Sequence, residues 1–311
     1  VNVLGKGSAK MVSWSLATVV LLLSVLLPVI NMITFCLLMV PVLVQYVKLD
    51  TKRFLLYYGL SLAAVYIATS LVFTGLVGVV LVAISLFFLP PVIQMGNLYK
   101  KRAPARTVLT VGVVTLLIEM LLSILVAYMF GLNLIAKMKQ FMLESLGTLP
   151  DQLRSMLAMD EDTLVQLMSQ MLPLYMIGFS LFLIAVTHWL ARKLLNRTGE
   201  SIPGFKPVRE WMLPRSFVWY YVIALFMEFF VRDTSSIFFT LLLNLLPLLT
   251  AAFAVQAIAF LFYVAHSKHW NRTLPIVGII VLLIFPPAYF MFSLLGVFDV
   301  AFPIRERMTR K

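Results

Sequence analysis

The sequence predicts an all-α protein, a polytopic transmembrane helix bundle of eight spans plus a Pro-interrupted final segment, with an external amphipathic helical cap. Three observations carry that prediction. Met11 to Val47, Phe54 to Tyr99 and Thr234 to Ser267 contain no Asp, Glu, Lys or Arg; Thr107 to Ala136, Ser216 to Val231 and Thr273 to Ile304 each contain a single acid, and Thr163 to Ala191 carries only His188. Nearly every Lys and Arg lies in the gaps between these runs. The chain is 62% hydrophobic and 12% charged, against roughly 25% charged in soluble domains, with a mean hydropathy of +1.00. A bilayer core needs about 20 apolar residues per helix, so the first two runs must each fold back as a helical hairpin.

Taken in order, the first span runs near Met11 to Ile30, and the uncharged Pro28–Asn31 turn leads to a short second span, Ile33 to Val47, that contains Pro41. The third span, Phe54 to Phe73, turns at Thr74-Gly75, and the fourth returns through Pro90-Pro91 to Tyr99. The fifth covers Thr107 to Phe130, the sixth Pro173 to Leu190, the seventh Phe217 to Val231 and the eighth Ile237 to Val264. The final run, from Thr273, is interrupted by Pro286-Pro287, where prolines break a helix.

With the amino terminus in the cytoplasm, Lys6, Lys10 and the basic clusters of 48–53, 100–106, 192–215 and 268–272 all fall inside. Lys137, Lys139, Arg154 and Arg232 then fall outside, as the positive-inside rule asks. One straight ninth helix would leave Arg305, Arg307, Arg310 and Lys311 outside; a hairpin bent at Pro286-Pro287, the form favoured here, returns them to the cytoplasm.

Five segments follow. Residues 1–130 hold spans one to five, 131–171 an external Met-rich cap, 172–191 the sixth span, 192–215 a basic cytoplasmic loop and 216–311 a carboxy-terminal helical unit. In the cap, Leu134, Ile135, Met138, Met142 and Leu146 recur at helical spacing, and Gly147-Thr148-Leu149-Pro150 interrupts them. Asp160-Glu161-Asp162 then opens another helix with apolar face Leu164, Leu167, Met168 and Met171. Such a cap lies on the bilayer or over the bundle.

The formal charge of +12 sits beside apolar segments, which makes it a determinant of topology and argues against nucleic acid as a partner. Cys36 is the lone cysteine, so neither an intrachain disulfide nor a cysteine zinc site forms, and no cofactor is expected. The first apolar run is too long for a signal h-region and should remain as an anchor. Gly5-Lys6-Gly7-Ser8 lacks the full phosphate-loop spacing and reads as a flexible basic leader. Met138-x3-Met142, Met156-x-x-Met159 and Met168-x-x-Met171 have leucines interleaved and read as packing faces; His266-x-x-His269 reads as interfacial anchoring, so no metal site is expected. No nucleophile stands with a base, and enzymatic activity is not expected.

Glu119 is the sharpest polar feature, because an acid near mid-membrane costs about 2.5–3.5 kcal/mol on insertion scales. Gly112, Thr115, Ser123 and Ala127 recur with it on one small, polar helix face. Three roles fit Glu119: a protonated acid bonded to a neighbouring helix, a ligand or ion contact, or a proton relay. The candidate ligand-binding set is Glu119, Thr115, Ser123 and Asn31, the last with a turn role as its default. Glu228 stands four residues before Arg232 and can pair with it. Asn244 and Gln256 read as interhelical hydrogen-bonding groups, and Asp299 as a helix cap or a partner of Arg305.

The segment Phe205-Lys-Pro-Val-Arg-Glu-Trp-Met-Leu-Pro-Arg215 mixes anchors with charges. Phe205 and Trp211 suit the headgroup level and Arg209 and Arg215 suit lipid phosphates; with Glu210, the same residues could instead dock a partner. This segment, with the first helical hairpin, the Met-rich excursion and the closing Leu294-Leu-Gly-Val-Phe-Asp299, resembles the YybS-like family of bacterial predicted membrane proteins across essentially the whole chain. That family is remotely similar to the substrate-binding components of energy-coupling-factor transporters, over about spans one to six. The resemblance implies an S-component-like core that binds or helps transport a small solute, with separate ATPase and coupling subunits as partners. Only Ser13-x3-Ala17 approximates the alanine-spaced docking motif of such components. The alternative is a non-transporting membrane scaffold or regulator that works through the cap and the Phe205 to Arg215 loop.

Overall fold

The computed structural model describes residues 3–150, 152, 160–302 and 304–309, the side chains of 3–10, 306, 307 and 309 excepted. Arg154, Met156, Met159, Arg310 and Lys311, and the side chains of Lys6, Lys10 and Arg307, therefore lie outside the described residues. The described residues are all-α, with no strand among them. The chain forms two compact units.

The first unit comprises 1–133 and 176–205. It contains α1 (Val3–Ser24), α2 (Asn31–Leu37), α3 (Met39–Lys48), α4 (Thr51–Val72), α5 (Gly75–Phe87), α6 (Leu89–Lys100), α7 (Ala105–Met129) and α10 (Leu172–Arg197) from Met176 onward. Helix α3 is its core: every residue from Met39 to Tyr46 is buried. A helix covered on all sides must be apolar all round. Gln45 is the exception, and it donates from Nε2 to Thr18 Oγ1 of α1 at 3.2 Å. Gly96 lets α6 approach α3, because a Cβ there would collide with the Tyr46 ring, and Tyr46 donates its hydroxyl to Asn97 Oδ1 at 2.7 Å.

Prolines set the breaks. Pro41 lacks an N–H, and its ring opposes the carbonyl four residues back, at Leu37, where α2 ends. Pro91 acts likewise on Phe87, the last residue of α5. The expected flexible leader at Gly5–Ser8 instead has helical backbone, as part of α1.

The second unit comprises 134–175 and 206–311. It contains α8 (Leu134–Gly147), α9 (Glu161–Gln170), the first turn of α10, α11 (Ser216–Glu228), α12 (Ile237–Ser267), α13 (Thr273–Ile284), α14 (Ala288–Ala301) and α15 (Ile304–Thr309). Asp160 caps α9 by accepting from the Thr163 backbone N–H at 2.9 Å, which holds its carboxyl below the usual carboxylate value. Helix α8 buries none of its residues, and Leu134 and Ile135 are exposed.

The carboxy-terminal helices wrap α12. Gly278 of α13 meets Ile258 and Leu261, and Gly296 of α14 lies so close that a Cβ would overlap the Phe253 carbonyl. Along α14 and α15, Gly296, Asp299 and Arg305 face Phe253, Gln256 and Tyr263 in rising order, so α14 runs parallel to α12. The chain has therefore reversed at Pro286-Pro287, as the favoured bent form requires, and Arg305 lies at the end of α12 nearer Lys268.

Among the described residues, six helical segments are long and apolar enough to cross a membrane: Asn31–Lys48, Thr51–Val72, Gly75–Lys100, Ala105–Met129, Leu172–Arg197 and Ile237–Ser267. The apolar part of α1, Met11–Ser24, and helix α11 are shorter than that. At 13 residues α11 rises about 20 Å, against a hydrocarbon core of about 30 Å. Leu55, Leu56, Leu60 and Leu71 on α4, Leu121, Leu122 and Leu125 on α7, and Ile223 and Phe226 on α11 are all exposed. Apolar surface on this scale is rare on soluble monomers and fits solvation by lipid.

Candidate functional site

Thr115 and Glu119 are half-buried on α7, while Ser123, one turn further, is exposed. Thr115 spends its hydroxyl on the Val111 carbonyl at 2.8 Å. Gly112 on the same face is tightly enclosed, since a Cβ there would come 2.8 Å from Ile184 Cγ2 and 3.2 Å from Met95. The small-residue face thus packs against α6 and α10 at its Gly112 end and opens toward Ser123. Among the described residues, Glu119 has no hydrogen bond or ion pair. Asn31 is exposed at the first position of α2.

The basic loop has a different character. Lys206 to Arg215 belongs to the second unit, and two side chains, one buried and one half-buried, grip its backbone. Gln256 of α12 accepts from the Leu213 N–H at 3.0 Å and donates to the Trp211 carbonyl at 3.3 Å. Arg305 donates from Nη1 to the Arg209 carbonyl at 2.8 Å. Both grips converge on Asp299, which is 1% exposed: it accepts from Gln256 Nε2 at 2.6 Å, from Arg305 Nε at 2.9 Å and from Arg305 Nη2. Tyr263 donates its hydroxyl to the Arg305 carbonyl at 2.9 Å, and its ring lies under the Arg305 guanidinium at 5.0 Å.

Within the loop, Trp211 Nε1 donates to the Lys206 carbonyl at 2.8 Å, and Val208–Glu210 forms one 3-10 turn. Arg209 and Trp211 are half-buried, whereas Glu210 and Arg215 are exposed. The carboxylate and guanidinium of this clasp bond each other. What the clasp does is fix the loop.

Phe205 falls in the first unit, where its ring meets His188 edge-on at 5.2 Å. His188 is 1% exposed, and its Nδ1 lies 2.8 Å from the Tyr99 hydroxyl. His188 Nε2 and Thr187 Oγ1 are buried without a hydrogen-bond partner among the described residues. In the sequence His188 stands out only as the lone titratable group of its apolar run; its partner lies 89 residues away, beyond any local pattern.

Asn244 and Gln256 do bridge elements as expected: Asn244 Oδ1 accepts from the Leu174 N–H at 2.8 Å, and its Nδ2 donates to the Gln170 carbonyl at 2.8 Å. Asp299 pairs with Arg305, one of its two expected roles. The expected Glu228–Arg232 pair is absent among the described residues. Helix α11 ends at Glu228, so Arg232 no longer lies one helical turn above it.

The family described as predicted membrane protein (DUF2232) matches residues 15–300. The chain is 23% identical over 303 residues to the uncharacterized protein YybS of Bacillus subtilis (strain 168), an overlap covering 94% of this chain and 95% of that one. No solved structure matches the chain. Neither the family's description nor the relative's name states a substrate, and neither mentions energy-coupling-factor transporters. The match takes in helices of both units and the clasped loop, ending before α15, and the chain belongs to the DUF2232 family of predicted membrane proteins.

Proposed function

We propose that this multi-pass membrane protein is a scaffold that docks a partner protein on the loop of residues 206–215. One observation carries the reading: Gln256, Asp299 and Arg305 hold that loop by its own backbone at three residues, Arg209, Trp211 and Leu213. Burying a carboxylate and a guanidinium costs several kcal/mol per ion, more than a simple connector between helices requires. The return is a preorganised surface, which binds without a large ordering cost. Arg209, Glu210, Trp211 and Arg215 give that surface a mixed charge and an aromatic anchor.

In this reading the amino terminus and the loop are cytoplasmic, the apolar helices make eight spans, and α8 and α9 lie on the opposite bilayer face. A photo-crosslinker at residue 210 in the full chain, in its own membrane, should trap a defined protein. Trp211→Ala should abolish that adduct while the protein keeps its unfolding temperature. Adducts to lipid alone, or a protein adduct indifferent to Trp211→Ala, would remove the proposal.

Glu119 favours a second reading, in which the first unit binds a small solute with Glu119, Thr115, Ser123 and Asn31 as its contacts and borrows ATPase and coupling subunits. A half-buried carboxylate without a protein partner supports it, since such groups in membrane segments mark ligand paths. Retention of solute and thermal stability both unchanged in Glu119→Gln would count decisively against it.

A further inference from the structure

We infer that the groove where α12 ends and α13 begins binds the headgroup of an anionic glycerophospholipid through its phosphate. The groove has a volume of ≈ 420 Å³ and is half-open, with Arg209 and Arg272 on its walls and Phe262, His266, His269 and Trp270 among its lining. This inference goes beyond the docking proposal and shares Pro207, Val208 and Arg209 with its loop.

The local backbone makes the groove. Helix α12 finishes in a paired-hydrogen-bond cap: the Trp270 N–H donates to the Ala265 carbonyl at 2.8 Å, and the His269 N–H donates to the His266 carbonyl at 3.3 Å. His269 takes the left-handed position of that cap, at φ +54°. Glycine fills this position most easily, so a side chain held there stores strain, and strained residues of this kind cluster at binding sites. The cap also occupies two carbonyls that would otherwise repel a phosphate at the helix end. Arg272 then stands as the N-cap residue of α13, which has no side-chain cap.

Charge decides the ligand class. Among the described residues, neither the Arg209 nor the Arg272 guanidinium has a carboxylate or carbonyl partner, although the Arg209 main-chain carbonyl is held by Arg305. Two free guanidinium forks suit a phosphate diester. No carboxylate lines the groove, so the ammonium of a zwitterionic headgroup would find no counter-ion there. Trp270 is 59% exposed and Phe262 is half-buried, the amphipathic ring placement seen at the membrane interface. A phosphate with a neutral glycerol tail meets these conditions.

The test uses the full chain in detergent micelles, with native mass spectrometry reading the bound fraction of phosphatidylglycerol and, separately, of phosphatidylcholine. The wild type should retain phosphatidylglycerol about tenfold better, because the choline ammonium would lie beside two guanidinium groups without a counter-ion. Arg272→Gln and Arg209→Gln should each bring that ratio close to one. Arg232→Gln removes the same charge away from the groove and should leave the ratio unchanged, and so should Trp211→Ala, which tests the docking proposal instead. Equal retention of the two lipids, or an equal loss in Arg232→Gln, would overturn the inference. Release of phosphatidylglycerol by millimolar inorganic phosphate would overturn the lipid assignment in favour of free phosphate.

Discussion

Asp299 accepts from Gln256 and twice from Arg305, and each of those donors also reaches the loop backbone. Its side chain is 0% exposed and that of Arg305 12%, so loss of either partner leaves the other largely shielded from water. Asp299→Asn should therefore cost about 3–5 kcal/mol, the range for breaking a buried ion pair, read as a lower unfolding temperature in detergent. Arg305→Lys should recover only part of the wild-type stability, because an ammonium cannot serve two Asp299 oxygens and the Arg209 carbonyl with a planar fork. The Asp299–Arg305 pair was legible in the sequence, since two opposite charges stood six residues apart in an apolar setting. The role of Gln256 was not, because it reads main-chain groups at Trp211 and Leu213, which carry no residue-type signal. Glu228 and Arg232 show the converse: a spacing of four pairs side chains only where the helix continues.

Between elements, closeness of approach is set by glycine. Gly296 seats α14 on α12 with no room for a methyl group, and this contact brings Asp299 within reach of Gln256. Gly296→Ala should destabilise the protein by about 1–3 kcal/mol through overpacking and should also loosen the loop, seen as faster hydrogen exchange at Leu213. Gly59→Ala on α4 is the control: nothing lies within 4 Å of a Cβ there, and the change should be neutral or stabilising by up to about 1 kcal/mol. The helix break at Pro286-Pro287 was legible, whereas the second and fourth spans were expected to run through Pro41 and Pro90-Pro91, where the helices in fact break. Pro247 lies inside α12 without ending it, so proline alone does not decide. The reach of α11 was overestimated, because Phe229, Phe230 and Val231 are apolar enough to extend a span yet lie beyond the helix end at Glu228.

For the whole molecule, membrane residence was legible from composition and charge-free runs, which need only lipid solvation to make sense. The number of crossings was less so, because hydropathy does not register that α1 and α11 are short. Beyond the hairpins, which helices make close contacts within each unit was not legible; Tyr99 and His188 are far apart in sequence and meet through tertiary packing. The proposed orientation rests on where the basic residues cluster. Tags at residues 50, 103, 200 and 269 should report one compartment and a tag at residue 140 the other, measured by reporter activity or by labelling of introduced cysteines; a mixed pattern among the first four would refute the arrangement.

The clasp also has a timetable. Arg209 and Arg305 are 96 residues apart, and Gln256 lies between them. During synthesis the loop leaves the ribosome long before the side chain that locks it. Any partner that recognises only the locked form would thus engage finished protein and ignore nascent chains.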